Sequence, residues 1–156
     1  IGVIISLFYL AAQVRQNTRS ARAIVVDSLA RSMHDLAFEM AQNDQLLKIA
    51  TTLGDWKGAT ELERARYASF MLGYFKLFEN AWFQMRKGTL ERDQWEGYDA
   101  FLRSVWMQPS VKTWWSMRRM FFAPGFRQYV ESCQEAPNVP TLSELVQREN
   151  HGPDAI

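Results

Sequence analysis

Apolar residues fill the first fourteen positions of the chain almost without interruption. Only Ser6 and Gln13 are clearly polar in this run. As a helix it would extend roughly 21 Å, which is less than the hydrocarbon core of a bilayer, about 30 Å. The chain does not begin with Met, so we expect a processed or truncated start, with further apolar residues upstream that complete a transmembrane span. The pattern also allows a signal-peptide core, an interfacial helix or a buried helix of a soluble fold.

A basic collar follows the apolar run, and no acidic residue occurs before Asp27. Basic residues next to a membrane helix tend to remain cytoplasmic and can contact anionic headgroups. The sequence therefore predicts a single-pass anchor over residues 1–22, with the main domain on the cytoplasmic side. A solvated collar or a specific lipid or partner site would both explain the basic residues. The predicted membrane and lipid contacts are Ile4, Leu7, Phe8, Arg15, Arg19 and Arg22.

Beyond the collar, apolar residues recur at spacings of three and four, as on one face of a helix. No Gly or Pro interrupts residues 3–53, so the first helix is expected to continue straight into the domain. A break is predicted at Asn43–Asp44, before a short helix through Ile49. The repeat is short, which favours packing inside a bundle over a coiled coil. Its members are Val26, Leu29, Met33, Leu36 and Met40.

Local chemistry predicts where the later helices begin and end. Thr60 and Glu63 have the spacing of a capping box, so a long central helix should run from Glu61 to about Lys87. Gly88 is suited to the position after that helix, and Thr89 to the N-cap of the next one.

Proline residues predict two further helix starts, at Pro109 and Pro124. After Ala136 the composition becomes polar and proline-containing. The expected fold is therefore all-α: an N-terminal transmembrane helix continuing into a compact bundle of about five helices over residues 23–135, followed by a peripheral tail over 136–156.

Composition and charge exclude some classes of protein. The net charge is only +1 and the basic residues are mostly interleaved with acids, so we expect no nucleic-acid partner. A single cysteine, Cys133, excludes an internal disulfide.

The chain lacks the residue patterns of common catalytic and metal sites. It has two histidines, His34 and His151, and neither belongs to a metal-binding motif. Cys133 falls on an apolar helix face and is expected to be packed and inert. No nucleophile elbow or phosphate-binding glycine loop is present. We therefore predict no catalytic residue, no metal and no cofactor.

Glu79 is the polar residue of greatest interest, because aromatic residues surround it at helical spacing. A carboxylate on such a stripe must find donors or become protonated. Arg118 and Arg119 are its predicted partners in a buried ion pair that fixes how two helices pack. The alternative is a carboxylate that binds a ligand or handles a proton.

The segment from residue 106 to 126 is dense in aromatic residues and arginine. Core packing is the default explanation, and contact with the membrane surface is another. Because Trp, Tyr and Arg dominate interface hot spots, a protein-docking face is the main alternative. The candidate face consists of Trp106, Trp114, Trp115 and Phe121.

Several short motifs, taken in order, resemble an uncharacterised family of small bacterial proteins with one N-terminal membrane helix and a helical domain. They are Gln13 to Thr18 after the apolar run, Phe78-Glu79-Asn80, Arg86 to Leu90, Trp95, Trp114-Trp115 and Phe122 to Phe126. The resemblance covers roughly residues 1 to 132. It implies a single-pass bacterial membrane protein, and it implies no activity. With the main domain expected on the cytoplasmic side, we predict that this membrane is the bacterial inner membrane.

These observations together favour a non-enzymatic, membrane-anchored helical module that stabilises other subunits of a bacterial membrane protein complex. The alternative is a membrane-tethered regulatory domain that senses a small ligand in a pocket near Glu79. A third hypothesis is an enzyme whose site the sequence does not reveal.

Overall fold

The computed structural model describes residues 2–45 and 58–133, together with Pro140 and Glu144. Within these ranges the chain is all-helical, which confirms the all-α part of the predicted fold. The predicted short helix to Ile49 and most of the 136–156 tail lie outside the described residues. The elements are α1 (Gly2–Gln42), α2 (Glu61–Arg86), α3 (Arg92–Trp106), α4 (Pro109–Arg118), a 3₁₀ helix (Arg119–Phe121) and α5 (Pro124–Ser132).

Helix α1 is one uninterrupted helix of 41 residues that ends at the predicted break before Asn43. Its second half packs against the bundle through the predicted apolar face, where Leu29 is buried and Val26, Met33, Leu36 and Met40 are partly buried. Its first half, residues 3–24, is exposed throughout and projects from the bundle. In the described ranges, no helix combines the length and the apolar character needed to cross a membrane.

Helix α2 is the central element, as expected, and it contributes the largest set of buried residues. The capping box forms at its start: Thr60 Oγ1 accepts from the Glu63 N–H at 3.3 Å, and Glu63 Oε2 accepts from the Thr60 N–H at 2.8 Å. Gly88 follows the last turn with φ +74°, a left-handed conformation that glycine adopts without steric cost.

The predicted N-cap at Thr89 is wrong. Helix α3 begins at Arg92, and Glu91 is its N-cap. The Thr89 hydroxyl instead donates to the carbonyl oxygen of Gln84 at 3.0 Å. The residue therefore closes the end of α2, because the turn after Gly88 places its hydroxyl within reach of the free carbonyls there.

Helices α1 and α2 run antiparallel. Leu36 lies beside Gly73 in the middle of α2, whereas Arg22, earlier in α1, reaches Glu91 just beyond the end of α2. The projecting half of α1 therefore leaves the bundle at the end where α2 finishes and α3 begins.

Proline starts both α4 and α5, as predicted, and these helices cover α2 with aromatic rings. Phe75 of α2 lies 5.2 Å from Trp114 and 5.1 Å from Trp115, between ring centroids. The Trp114 indole N–H donates to the Ala68 carbonyl oxygen at 3.2 Å. Because the rings interdigitate with no exposure at Phe75 or Trp114, this contact forms the centre of the core.

Candidate functional site

The projecting half of α1 carries apolar side chains on every side. Successive residues of a helix turn by about 100°, so the seven apolar residues between positions 3 and 10 point in all directions. Each is between 54% and 75% exposed. A helix that is apolar all round is normally buried in a protein core or a membrane. The residues are Val3, Ile4, Ile5, Leu7, Phe8, Tyr9 and Leu10.

The basic collar occupies one side of the same helix. Arg15, Arg19 and Arg22 are all exposed and lie within about a quarter of a turn of one another. Arg22 forms an ion pair with Glu91 at the start of α3, where both side chains are exposed. The collar therefore lies on the same side of α1 as the residues that pack against the bundle in the second half of the helix. Arg15 and Arg19 lie earlier on α1, beyond the end of the bundle.

Glu79 is buried and fully engaged by donors of the protein. Its Oε1 accepts the Ala123 backbone N–H at 2.7 Å, and its Oε2 accepts from Lys76 Nζ at 2.7 Å. Ala123 is the N-cap of α5, so the carboxylate lies at the positive end of that helix. Lys76 Nζ also donates to the Phe121 carbonyl oxygen at 2.7 Å. This network ties α2 to the start of α5.

The partners of Glu79 differ from the predicted ones. Arg119 pairs with Glu131 at 3.0 Å, and Arg118 makes no ion pair within the described residues. Arg118 ends α4 and Arg119 begins the 3₁₀ helix, whereas Lys76 lies one turn before Glu79 on the same helix as Glu79. The spacing of three residues between Lys76 and Glu79 was the sequence signal that would have identified this pair.

The predicted docking face divides into a buried and an exposed part. Trp106, Trp114 and Trp115 are buried, so in this fold they form the core and are unavailable to a partner. Phe121 is 57% exposed, because the 3₁₀ helix turns it away from α2 while its neighbour Phe122 enters the core. Two exposed methionines precede Phe121 within about one turn of the chain, and we call these three residues the apolar corner: Met117, Met120 and Phe121.

A second polar cluster, which no spacing in the sequence indicates as a whole, joins α3 to α5. The Tyr129 hydroxyl donates to Asp99 Oδ1, and Arg103 Nε donates to Asp99 Oδ2 at 2.9 Å. Burial raises the pKa of Tyr129, and the adjacent Asp99 carboxylate raises it further. Burial also raises the pKa of the nearby Cys133 thiol, which favours the protonated and unreactive form. The cluster therefore locks two helices together and offers no activated nucleophile.

A groove of about 570 Å³ lies between α1 and α2, on the side of α2 away from Glu79. Its walls combine apolar side chains with Glu39 and Arg66. Within residues 2–45 and 58–133, no group of His, Cys, Asp and Glu is arranged to hold a metal ion.

No family model, curated protein or solved structure matches this chain. Function is therefore inferred from the geometry of the described residues. The most unusual feature of that geometry is the exposed apolar half of α1.

Proposed function

We propose that this chain is a non-enzymatic helical module that inserts the first turns of α1 into a membrane and serves as an accessory subunit of a bacterial membrane protein complex. The observation that carries the proposal is the ring of exposed apolar side chains from Val3 to Leu10. Removing apolar surface from water stabilises by roughly 25 cal/mol per Å², so such a ring strongly favours an apolar environment.

The dimensions of α1 are consistent with insertion of its first turns. Residues 3–12 extend about 15 Å along the helix axis, which is roughly half of a hydrocarbon core. Arg15 and Arg19 follow directly, at the level of the headgroups, where each can contribute on the order of 1 kcal/mol with anionic lipids. Basic residues at this level favour the cytoplasmic face of the inner membrane. The bundle would then be held outside the headgroup layer.

The accessory-subunit part of the proposal is supported by the apolar corner of Met117, Met120 and Phe121, which is exposed in the isolated chain. Apolar and aromatic side chains grouped on a surface are typical of contacts with other proteins. The ligand-sensing alternative has less support, because Lys76 and the Ala123 N–H already engage both oxygens of Glu79.

Vesicle flotation tests membrane insertion directly. The full chain is mixed with vesicles of neutral and anionic phospholipid and centrifuged through a density gradient. We expect the wild-type chain to float and Phe8→Lys to remain with the soluble fraction, because a charge at the centre of an inserted helix costs about 2.5–3.5 kcal/mol.

Phe38→Lys is the matched control, since Phe38 is an exposed phenylalanine on the part of α1 that packs against the bundle. This variant should float like the wild type. Failure of the wild type to float, or equal loss of flotation in both variants, would contradict the proposal.

Purification of the full chain from its native membranes in mild detergent tests the subunit role. We expect a complex of fixed stoichiometry, and we expect Phe121→Ser to reduce recovery of the other subunits. Recovery of the chain alone would count against this part of the proposal.

A further inference from the structure

The end of the bundle from which α1 projects carries a group of exposed basic residues. Lys87 is the C-cap of α2 and Arg92 is the first residue of α3, and both are exposed. Arg86 is exposed as well, with its guanidinium 4.7 Å from the centroid of the Trp82 ring. In the described part of the chain, no acidic side chain forms an ion pair with these three residues. We call Arg86, Lys87 and Arg92 the basic end.

Charge is distributed unevenly along the molecule. Residues 15–22 and 86–93, which lie at this end of the bundle or project from it, hold six basic residues and two acidic ones. The net charge of the whole chain is only +1, so the remainder of the chain is net negative. The second half of α1 shows the contrast, because residues 27–42 hold three acidic residues and one basic one. Positive charge is therefore concentrated at the end from which α1 projects.

The geometry of α1 brings the basic end close to the proposed membrane. Arg22 contacts Glu91, so the basic end lies level with Arg22, about 5 Å along α1 from Arg19. Arg19 lies at the level of the headgroups when the first turns of α1 are inserted. The attraction between a basic side chain and an anionic surface extends over a Debye length, about 8–10 Å. The basic end therefore lies within the field of the headgroups.

We propose that the basic end is a second membrane contact, which binds the phosphates of anionic lipid headgroups. This inference rests on the insertion of α1 proposed above. A bilayer is the partner that fits, because α1 leaves the bundle at this end and the surface that holds its first turns faces the basic end. The same surface repels the net negative remainder of the chain. The two contacts together hold the bundle with the turn between α2 and α3 towards the headgroups.

Vesicle binding of a charge-reversal variant tests this contact. The full chain with Lys87→Glu and Arg92→Glu is titrated at low ionic strength with vesicles of phosphatidylcholine, alone or mixed with phosphatidylglycerol. One basic residue near an anionic surface strengthens binding about fivefold, and its reversal adds repulsion. We therefore expect the dissociation constant for the anionic vesicles to rise at least about fivefold, and that for the neutral vesicles to stay unchanged. Added salt should reduce the difference.

A variant with Arg66→Glu and Lys112→Glu is the matched control. It changes the net charge by the same amount, and both residues are exposed. Arg66 lies in the first turns of α2 and Lys112 in the first turn of α4, both at the opposite end of the bundle. The dissociation constant should rise less than about twofold, because these residues lie more than a Debye length from the surface. Equal shifts in the two variants, or an equal shift on neutral vesicles, would overturn the proposal.

Quenching by labelled headgroups measures the orientation independently. A fluorophore is attached to a single cysteine, Glu96→Cys near the start of α3 or Lys112→Cys, in a full-length Cys133→Ala background. The vesicles carry a nitroxide quencher on their headgroups. Quenching at position 96 should be at least about twofold stronger, because α3 separates the two positions by about 15 Å. Equal quenching, or stronger quenching at position 112, would refute the proposed orientation and with it the contact.

The basic end and the insertion of α1 can fail separately. Equal shifts in the two charge variants of a chain that floats would refute the contact at the basic end and retain insertion. Phe8→Lys protein that still binds anionic vesicles, and loses this binding when Lys87→Glu and Arg92→Glu are added, would refute insertion and retain the contact. A wild-type chain that binds neither kind of vesicle would refute both.

Discussion

Substitution of Glu79 by glutamine offers the most informative test of how the bundle is held together. The change preserves size but removes the negative charge at a buried position that contacts both the Ala123 N–H and Lys76. The new amide can still accept one hydrogen bond, but its NH₂ group must then face the other donor.

The magnitude follows from the two contacts. A hydrogen bond to a charged group contributes about 1.5–3 kcal/mol and one between neutral groups about 0.5–1.5, so the bond from Ala123 weakens by about 1 kcal/mol. The Lys76 side chain is 47% exposed. Solvent screening therefore limits its ion pair to about 1 kcal/mol or less. A total of about 2 kcal/mol corresponds to a fall in Tm of about 4–8 °C for a chain of this size.

Thermal unfolding followed by circular dichroism measures this effect. Asn80→Ala is the matched control, because Asn80 is the exposed neighbour and its side chain accepts a hydrogen bond from Gln84. Its free energy of unfolding should change by less than about 0.5 kcal/mol. A double-mutant cycle of Glu79→Gln with Lys76→Met should then give a non-zero coupling energy. An unchanged Tm in Glu79→Gln, or one equal to that of Asn80→Ala, would refute the reasoning.

Two further predictions concern packing and pH. A Cβ at Gly125 would lie 2.9 Å from Trp82 Cη2, so Gly125→Ala should lower the free energy of unfolding by about 1–3 kcal/mol. Gly97→Ala, with nothing within 4 Å, should raise it by about 0.5–1 kcal/mol in the same denaturant titration; the opposite order would contradict this account. Burial raises the pKa of Tyr67 from 10.0 to about 12. The protonated phenol therefore contributes stability below pH 10 that is lost as the pH rises towards 12, and Tyr67→Phe should make that decline shallower. Identical pH profiles of unfolding for the two chains would exclude Tyr67 as the cause.

Helix boundaries were predictable wherever local chemistry decides them. The capping box at Thr60, the left-handed Gly88 and the starts at Pro109 and Pro124 depend on residues within one turn of each other. The N-cap was wrongly predicted at Thr89 instead of Glu91, because the Thr89 hydroxyl can also close the preceding helix and only the path of the turn decides between the two roles.

Contacts between helices were harder to predict. The burial of Glu79 followed from its aromatic neighbours, but its long-range donor is a backbone N–H, which no side-chain pattern encodes. Aromatic density alone also could not separate a core from a docking face. Trp114 and Phe121 lie only seven residues apart, yet one is buried and the other exposed, because a 3₁₀ turn intervenes.

The unbroken course of α1 makes it a rigid rod of about 60 Å, of which only the second half is held by the bundle. With no glycine or proline between residues 3 and 42, the rod has no joint. The distance and the orientation of the bundle are thus fixed relative to whatever binds the first turns of α1. A tilt of those turns tilts the bundle by the same angle. One residue inserted near Ala21 would swing the bundle about 100° around the rod axis.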